Sequence, residues 1–364
     1  MRILFCLAGL HRVSRGAEVA FESVARHLAA AGDDVTLLGG GRARADDLYR
    51  FVHIPFVDRR HFERWPRAPG ARTAAGYEGL SAVPGELARY RPGDYDVTVT
   101  CGYPFENWIL RRPARGGRPA HVWVTQNGDW PAMSRRMEHR WFSCDLLLCT
   151  NPVYAARNDA RWRCTLVPNG VDTAAFTPGP PERARFDLPA DRPVVLTVSA
   201  LDPNKRVAAA IRAVAALDDA MLVVAGDGPL REQIDRLGHE LLPGRYRRTT
   251  VSAHEMPSLY RSADAVLHTA LDESFGNVYV EALATGTPVV AHRTPTTEWI
   301  LGEHAHLVDT EDPDLVVAAL RCALDDTREH ARAAGVAAAR ERFAWDVVSA
   351  GYRAALREAI AVRA

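Results

Sequence analysis

The chain has 364 residues, 47% hydrophobic and 25% charged, with a formal net charge of zero. That length exceeds one ordinary core and predicts about two domains. No apolar run approaches the roughly 18 residues of a membrane span, and six cysteines without a CxxC pair or zinc-like spacing exclude a disulfide scaffold and a zinc module.

The charge is uneven: residues 1–170 hold 24 arginines against 17 acids, and the rest holds 21 basic residues against 28 acids. The first half therefore reads either as meeting something anionic or as a solvated arginine-rich surface. "MRILFCLAGLHR" is too short and wrongly flanked for a signal peptide. The expectation is a cytoplasmic protein that handles small molecules rather than nucleic acid.

In chain order, "RILFCLA" reads as a buried strand, followed by a helix over residues 16–31. "DVTLLG", "YDVTVT", "HVWVTQ" and "DLLLCT" read as further strands, with a helix expected at Met133–Phe142. Asp58 to Arg72 is a basic and aromatic cluster. It reads as an exposed loop or as a contact with an acceptor, a phosphate or a membrane surface. Asp94-Tyr95-Asp96 has the spelling of a metal-binding DxD but precedes a strand, so it reads as a loop. "TQNGDWP" places Asn127 and Asp129 at a strand end, as acceptor-contacting or deprotonating groups or as a structural Asn-Gly turn.

A proline-rich stretch near Pro168 to Pro181 marks a linker. "PVVLTVSA", "AMLVVAGDG", "RRTTV", "AVLHTA", "PVVAHR" and "HLVD" then repeat the strand-and-helix alternation. Residues 344–364 form a terminal helix with Val347, Val348, Tyr352, Ala355, Leu356 and Ile360 on one face. The expected fold is α/β, two doubly wound Rossmann-like domains facing a cleft. The boundaries are 1–172, 173–343 and a last helix, 344–364, returning to the first domain.

"LDESFGNVYVEALATGTPVVA" carries the most chemistry. Gly276 stands where a short helix begins, and Thr285-Gly286 ends it. Main-chain N–H groups of Phe275, Gly276, Asn277 and Val278 suit a phosphate. Glu273 and Glu281 flank them; carboxylates would repel phosphate, so their partners are neutral hydroxyls. That pattern fits a ligand with sugars on both sides of a diphosphate.

"ESFGNVYVEALATGTPVVA", "LVPNGVD", "VVAGDGP" and "MPSLYRSADAVLH" together resemble glycosyltransferase family 4, retaining GT-B enzymes with an E-x7-E motif. The resemblance implies that Glu281 holds the nucleotide ribose and Glu273 the donor sugar, with the helix-start amides on the diphosphate. It also implies a basic pair after the first strand of the second domain. Lys205, the chain's single lysine among 44 arginines, stands there. A compact ammonium reaches one phosphate oxygen where a guanidinium demands a fork.

Departures are visible. Ala200 replaces the arginine many members carry, with Arg206 as a substitute charge. Gly16 matches the loop that closes on the diphosphate, but Arg15 replaces a second glycine and is read as a phosphate or acceptor contact. Thr100-Cys101-Gly102 stand where many members carry a histidine, and His11 is a further cleft candidate. The expected function is retaining transfer from a nucleotide diphosphate sugar, UDP-sugar first, to an anionic, lipid-linked or small-metabolite acceptor. No cofactor or metal is expected, since Lys205 and a helix N-terminus can stabilise the departing charge. Rival readings are a sugar-nucleotide epimerase or hydrolase and a non-catalytic nucleotide-sugar sensor.

Overall fold

The computed structural model describes all residues except 67, 69–70, 134–140, 326–328 and 364, and the side chains of residues 329–331. The chain divides into two compact units, Met1–Asn169 with Trp345–Ala364, and Gly170–Ala344.

The first unit is built on a seven-stranded sheet: β1 (Arg2–Cys6), β2 (Asp34–Gly39), β3 (Arg50–His53), β4 (Val97–Thr100), β5 (Ala120–Val124), β6 (Leu146–Cys149) and β7 (Cys164–Leu166). Its order is β3-β2-β1-β4-β5-β6-β7, with every pair parallel. Helices cover both faces, so the strands are continuous apolar runs. Ile3 and Phe5 face one core with the Gly16–Ala30 helix, while Leu4 and Cys6 face another beside Ala82 and Tyr90.

The edge strands β3 and β7 are absent from the sequence reading. Each has only three or four residues and is partly exposed, so neither carries a buried-strand signature. The expected helix Met133–Phe142 falls mostly on undescribed residues; a short helix stands at Trp130–Met133. The last helix, Trp345–Arg363, packs Val348, Tyr352, Ala355, Leu356 and Ala359 into the first unit's core. Val347, expected on that face, is 44% exposed because it lies a quarter-turn off the buried stripe. Asp96 of the DxD spelling accepts hydrogen bonds from the Arg2 main chain and guanidinium at 2.8 and 2.7 Å, which ties a strand edge.

The second unit carries β8 (Val194–Val198), β9 (Met221–Ala225), β10 (Tyr246–Thr249), β11 (Ala265–His268), β12 (Val289–His292) and β13 (His306–Val308). Their order is β10-β9-β8-β11-β12-β13, again all parallel. The winding reverses between β8 and β11, and ligands in such sheets bind outside the carboxyl ends of strands at that switch point. Among the described residues no helix is long and apolar enough to cross a membrane.

Candidate functional site

The loops leaving β8 and β11 bring the second unit's predicted residues together. The β8 loop lies against the turn after β9: Leu201 N–H donates to the Asp227 carbonyl and Leu230 N–H to the Leu201 carbonyl, both at 3.0 Å. A Cβ on Gly226 would stand 1.9 Å from the Ser199 carbonyl oxygen, and one on Gly228 2.7 Å from the Leu201 nitrogen. The "GDGP" stretch is therefore glycine-rich because two backbones touch there. Thr269, just past β11, donates its hydroxyl to the Arg206 carbonyl at 2.9 Å and fixes the loop from the other side.

This loop presents Lys205, whose Nζ stands 2.6 Å from Glu273 Oε1. His268, the last residue of β11, places Nε2 2.8 Å from the same oxygen. Burial alone would push the Glu273 carboxyl up, but the His268 hydrogen bond and the Lys205 charge together hold it at about 2. His268 is missing from the sequence reading. Its signal was slight, a polar residue ending an otherwise aliphatic strand.

Gly276 takes the left-handed conformation, φ 87°, and begins the helix Asn277–Thr285 without a side-chain cap. The helix start thus offers main-chain N–H groups around Gly276, Asn277 and Val278. Phe275 contributes main chain alone, since its ring is 2% exposed and packs against Trp299 and Phe343 at 6.5 and 5.8 Å. Glu281, one helical segment on, accepts a 2.7 Å hydrogen bond at Oε2 from the hydroxyl of Tyr260. Burial pushes its carboxyl above the ordinary value, and the Tyr260 bond opposes that rise. Tyr260 lies inside the quoted "MPSLYRSADAVLH" and was given no role there. Arg206, also left-handed at φ 53°, directs its guanidinium to the Thr310 hydroxyl and carbonyl, both at 3.5 Å.

In the first unit the structure corrects several assignments. His11 does not line an open site: its side chain is 0% exposed, Nε2 meets the Tyr49 hydroxyl and Nδ1 the Arg42 carbonyl at 2.8 Å, and its ring stacks on Phe51. Asp129 is not a free carboxylate at the strand end. It is 5% exposed and accepts from Arg157 at 2.6 and 2.8 Å and from Asn158 at 2.8 Å. Arg15 is committed to Glu78 at 2.8 and 3.2 Å, and Arg59 donates to the same carboxylate at 2.9 Å. Burial opposes ionisation of Glu78, yet these two guanidiniums hold it at about 2.

Asn127 is exposed at the carboxyl end of β5, its amide 3.7 Å from Cys101 Sγ. Gly16 opens the Gly16–Ala30 helix, again without a side-chain cap. Of Thr100-Cys101-Gly102, which stand where the resemblance expects a histidine, Gly102 has no room for a side chain: a Cβ there would lie 2.6 Å from the Glu106 carboxyl carbon. The basic and aromatic segment holds a 3-10 turn, Arg59–Phe62, with Phe62 against Trp65 and Tyr77 and Trp65 56% exposed. Among the described residues no group of three or more His, Cys, Asp or Glu is placed to hold a metal ion.

Two parallel sheets, each with a switch point, place the molecule in the GT-B class of α/β proteins. Residues 180–341 match the family model "Glycosyl transferases group 1", and residues 14–175 match "Glycosyltransferase Family 4". A lipopolysaccharide core biosynthesis glycosyltransferase, LpsD, of Rhizobium meliloti is 31% identical over 67% of this chain and 72% of that one. A D-inositol 3-phosphate glycosyltransferase of Thermobispora bispora is 30% identical over 95% of this chain and 90% of its own. A GDP-mannose-dependent phosphatidylinositol monomannoside mannosyltransferase of Mycolicibacterium smegmatis is 36% identical, over only 50% of this chain and 51% of its own.

Among solved structures, sucrose-phosphate synthase of Thermosynechococcus elongatus superposes with a TM-score of 0.79 at 20% identity over 99% of both chains. Anabaena HepE in complex with UDP-glucose gives 0.72 at 19% identity, over 98% of this chain and 100% of that one. The chain belongs to glycosyltransferase family 4. It is a glycosyltransferase of that type.

Proposed function

We propose that the second unit binds a nucleotide diphosphate sugar, UDP-sugar first, and that the protein transfers the sugar with retention and without a metal. One observation carries this reading: Lys205, Glu273 and the Gly276 helix start converge at the carboxyl ends of β8 and β11. Lys205 and the helix amides meet the diphosphate, Glu273 accepts from a sugar hydroxyl, and Glu281 with Tyr260 accepts from the ribose.

Charge develops on the departing diphosphate as the sugar–oxygen bond breaks, and fixed donors there lower the barrier without solvent reorganisation. The acceptor belongs to the first unit, near the exposed Asn127. Support for uridine comes from the HepE complex with UDP-glucose; the mannosyltransferase relative named for GDP-mannose makes guanosine the comparison to run.

The test is a thermal-shift series with UDP, GDP and ADP, with and without EDTA, on the native protein and Lys205→Ala. A shift with one nucleotide that survives EDTA and is lost in the variant supports the reading; no shift with any nucleotide refutes it. Once an acceptor is found, Lys205→Ala lowers turnover by about 10²–10³ without unfolding the protein.

A further inference from the structure

We propose that His268 is the positioning residue for Glu273: it keeps hold of Oε1 when Lys205 turns to the donor diphosphate, so that Oε2 stays aimed at the donor sugar. This rests on the donor reading above and names how its sugar contact is held.

Lys205 Nζ and His268 Nε2 converge on one carboxylate oxygen, at 2.6 and 2.8 Å. Two donors take up the lone pairs of Oε1, which leaves Oε2 with the unused acceptor capacity. The two donors differ in freedom. Lys205 stands on a flexible stem whose side chain is 21% exposed, so it can follow an arriving phosphate. The His268 side chain is 3% exposed, ends a central strand, and meets the Tyr279 ring edge-on at 5.3 Å. Its geometry is set by the sheet and cannot follow a ligand. Without it, departure of Lys205 would leave the Glu273 carboxylate free to rotate.

The other ring nitrogen identifies the purpose. His268 Nδ1 is buried with no hydrogen-bond partner among the described residues, a poor arrangement for a merely structural imidazole. The imidazole's contact with Glu273 is its polar interaction, and donating to that carboxylate requires a proton on Nε2.

The test uses the full chain as His268→Phe and His268→Gln. Phe keeps a ring in the buried site but removes the donor to Glu273, so it folds with lower stability at neutral pH, checked by its melting temperature, and Gln restores a donor. Calorimetry with UDP and with UDP-glucose separates nucleotide from sugar recognition. In His268→Phe, UDP binding stays within about 2-fold of native, while UDP-glucose binding weakens by roughly 10-fold or more, the value of a hydrogen bond to a charged group. His268→Gln recovers most of that loss.

Equal weakening for both ligands, or no weakening for UDP-glucose, overturns the inference. Nitrogen NMR of the ligand-free protein gives a readout independent of the donor, with His268 as the Nε2–H tautomer; a proton on Nδ1 alone also overturns it. If native protein binds neither UDP nor UDP-glucose, the donor reading fails, whereas the tautomer result still decides whether His268 holds Glu273.

Discussion

Replacing Gly276 by alanine tests how the E-x7-E helix is started. The residue sits at φ 87°, and a Cβ would stand 2.4 and 2.6 Å from Cε2 and Cδ2 of Tyr279. Left-handed backbone costs an L-residue about 1–2 kcal/mol. Tyr279 is 0% exposed, so its ring cannot swing into solvent, and overpacking of that kind costs about 1–3 kcal/mol more. Gly244→Ala is the matched control, with φ 71° and nothing within 4 Å of the added carbon, so it bears only the backbone cost.

Urea titration followed by circular dichroism should therefore show Gly276→Ala less stable than Gly244→Ala by about 1–3 kcal/mol. Nucleotide affinity should fall in the first variant alone, because straining Gly276 shifts the helix-start N–H groups that meet the diphosphate. Equal stability of the two variants would refute the steric reasoning. Equal nucleotide affinity would remove Gly276 from the binding surface.

Four further outcomes follow from the contacts described above. Glu281→Gln should raise the melting temperature at pH 7 and leave it unchanged at pH 4 while weakening nucleotide binding. Burial raises the folded carboxyl above 4.5, so the folded state holds its proton more tightly and loses stability as pH rises past that value. Glu78→Gln should destabilise at neutral pH, with the gap to native protein closing as pH falls from 4.5 toward about 2, because its folded carboxyl is depressed and its contribution disappears on protonation. Asp129→Ala should cost about 2–3 kcal/mol in a melting or urea experiment, less than a fully buried pair because Arg157 is 44% exposed. Asn127→Ala should leave stability unchanged, and any effect should be on acceptor KM or turnover.

Burial on both faces made the second sheet legible. Its strands β8, β9, β11 and β12 are mostly apolar, buried runs between turn residues, whereas β3 and β7 end the first sheet and show neither length nor pattern. The glutamates were legible for a different reason: glycine, helix and breaker constrain where a chain can receive an anion. Their partners were not. His268 closes an aliphatic strand and Tyr260 lies on a short helix, and only the folded chain shows that each turns its polar atom to a glutamate. His11 and Asp129 failed in the opposite sense. Position along the chain put them at a loop and a strand end, but a left-handed backbone turns His11 onto Phe51, and Asp129 turns toward the helix Pro152–Asn158. Spacing identifies the loop; side-chain direction depends on packing partners far away in sequence.

Charge shows the same limit. The surplus of arginine in residues 1–170 suggested an anionic partner, but Arg15 and Arg59 meet Glu78, Arg118 meets Asp145, and Arg157 meets Asp129. Guanidiniums already paired at that distance add little field at a ligand, so the count weakens as evidence for an anionic acceptor. Lys205 is paired too, but differently. Its contact with Glu273 is half-buried, with side chains 21% and 14% exposed, and it shares that carboxylate oxygen with His268. A diphosphate offers the ammonium more charge than one carboxylate does, while His268 remains on Glu273. The exchange therefore costs little, and it gives physical content to a solitary lysine in a chain that elsewhere uses arginine.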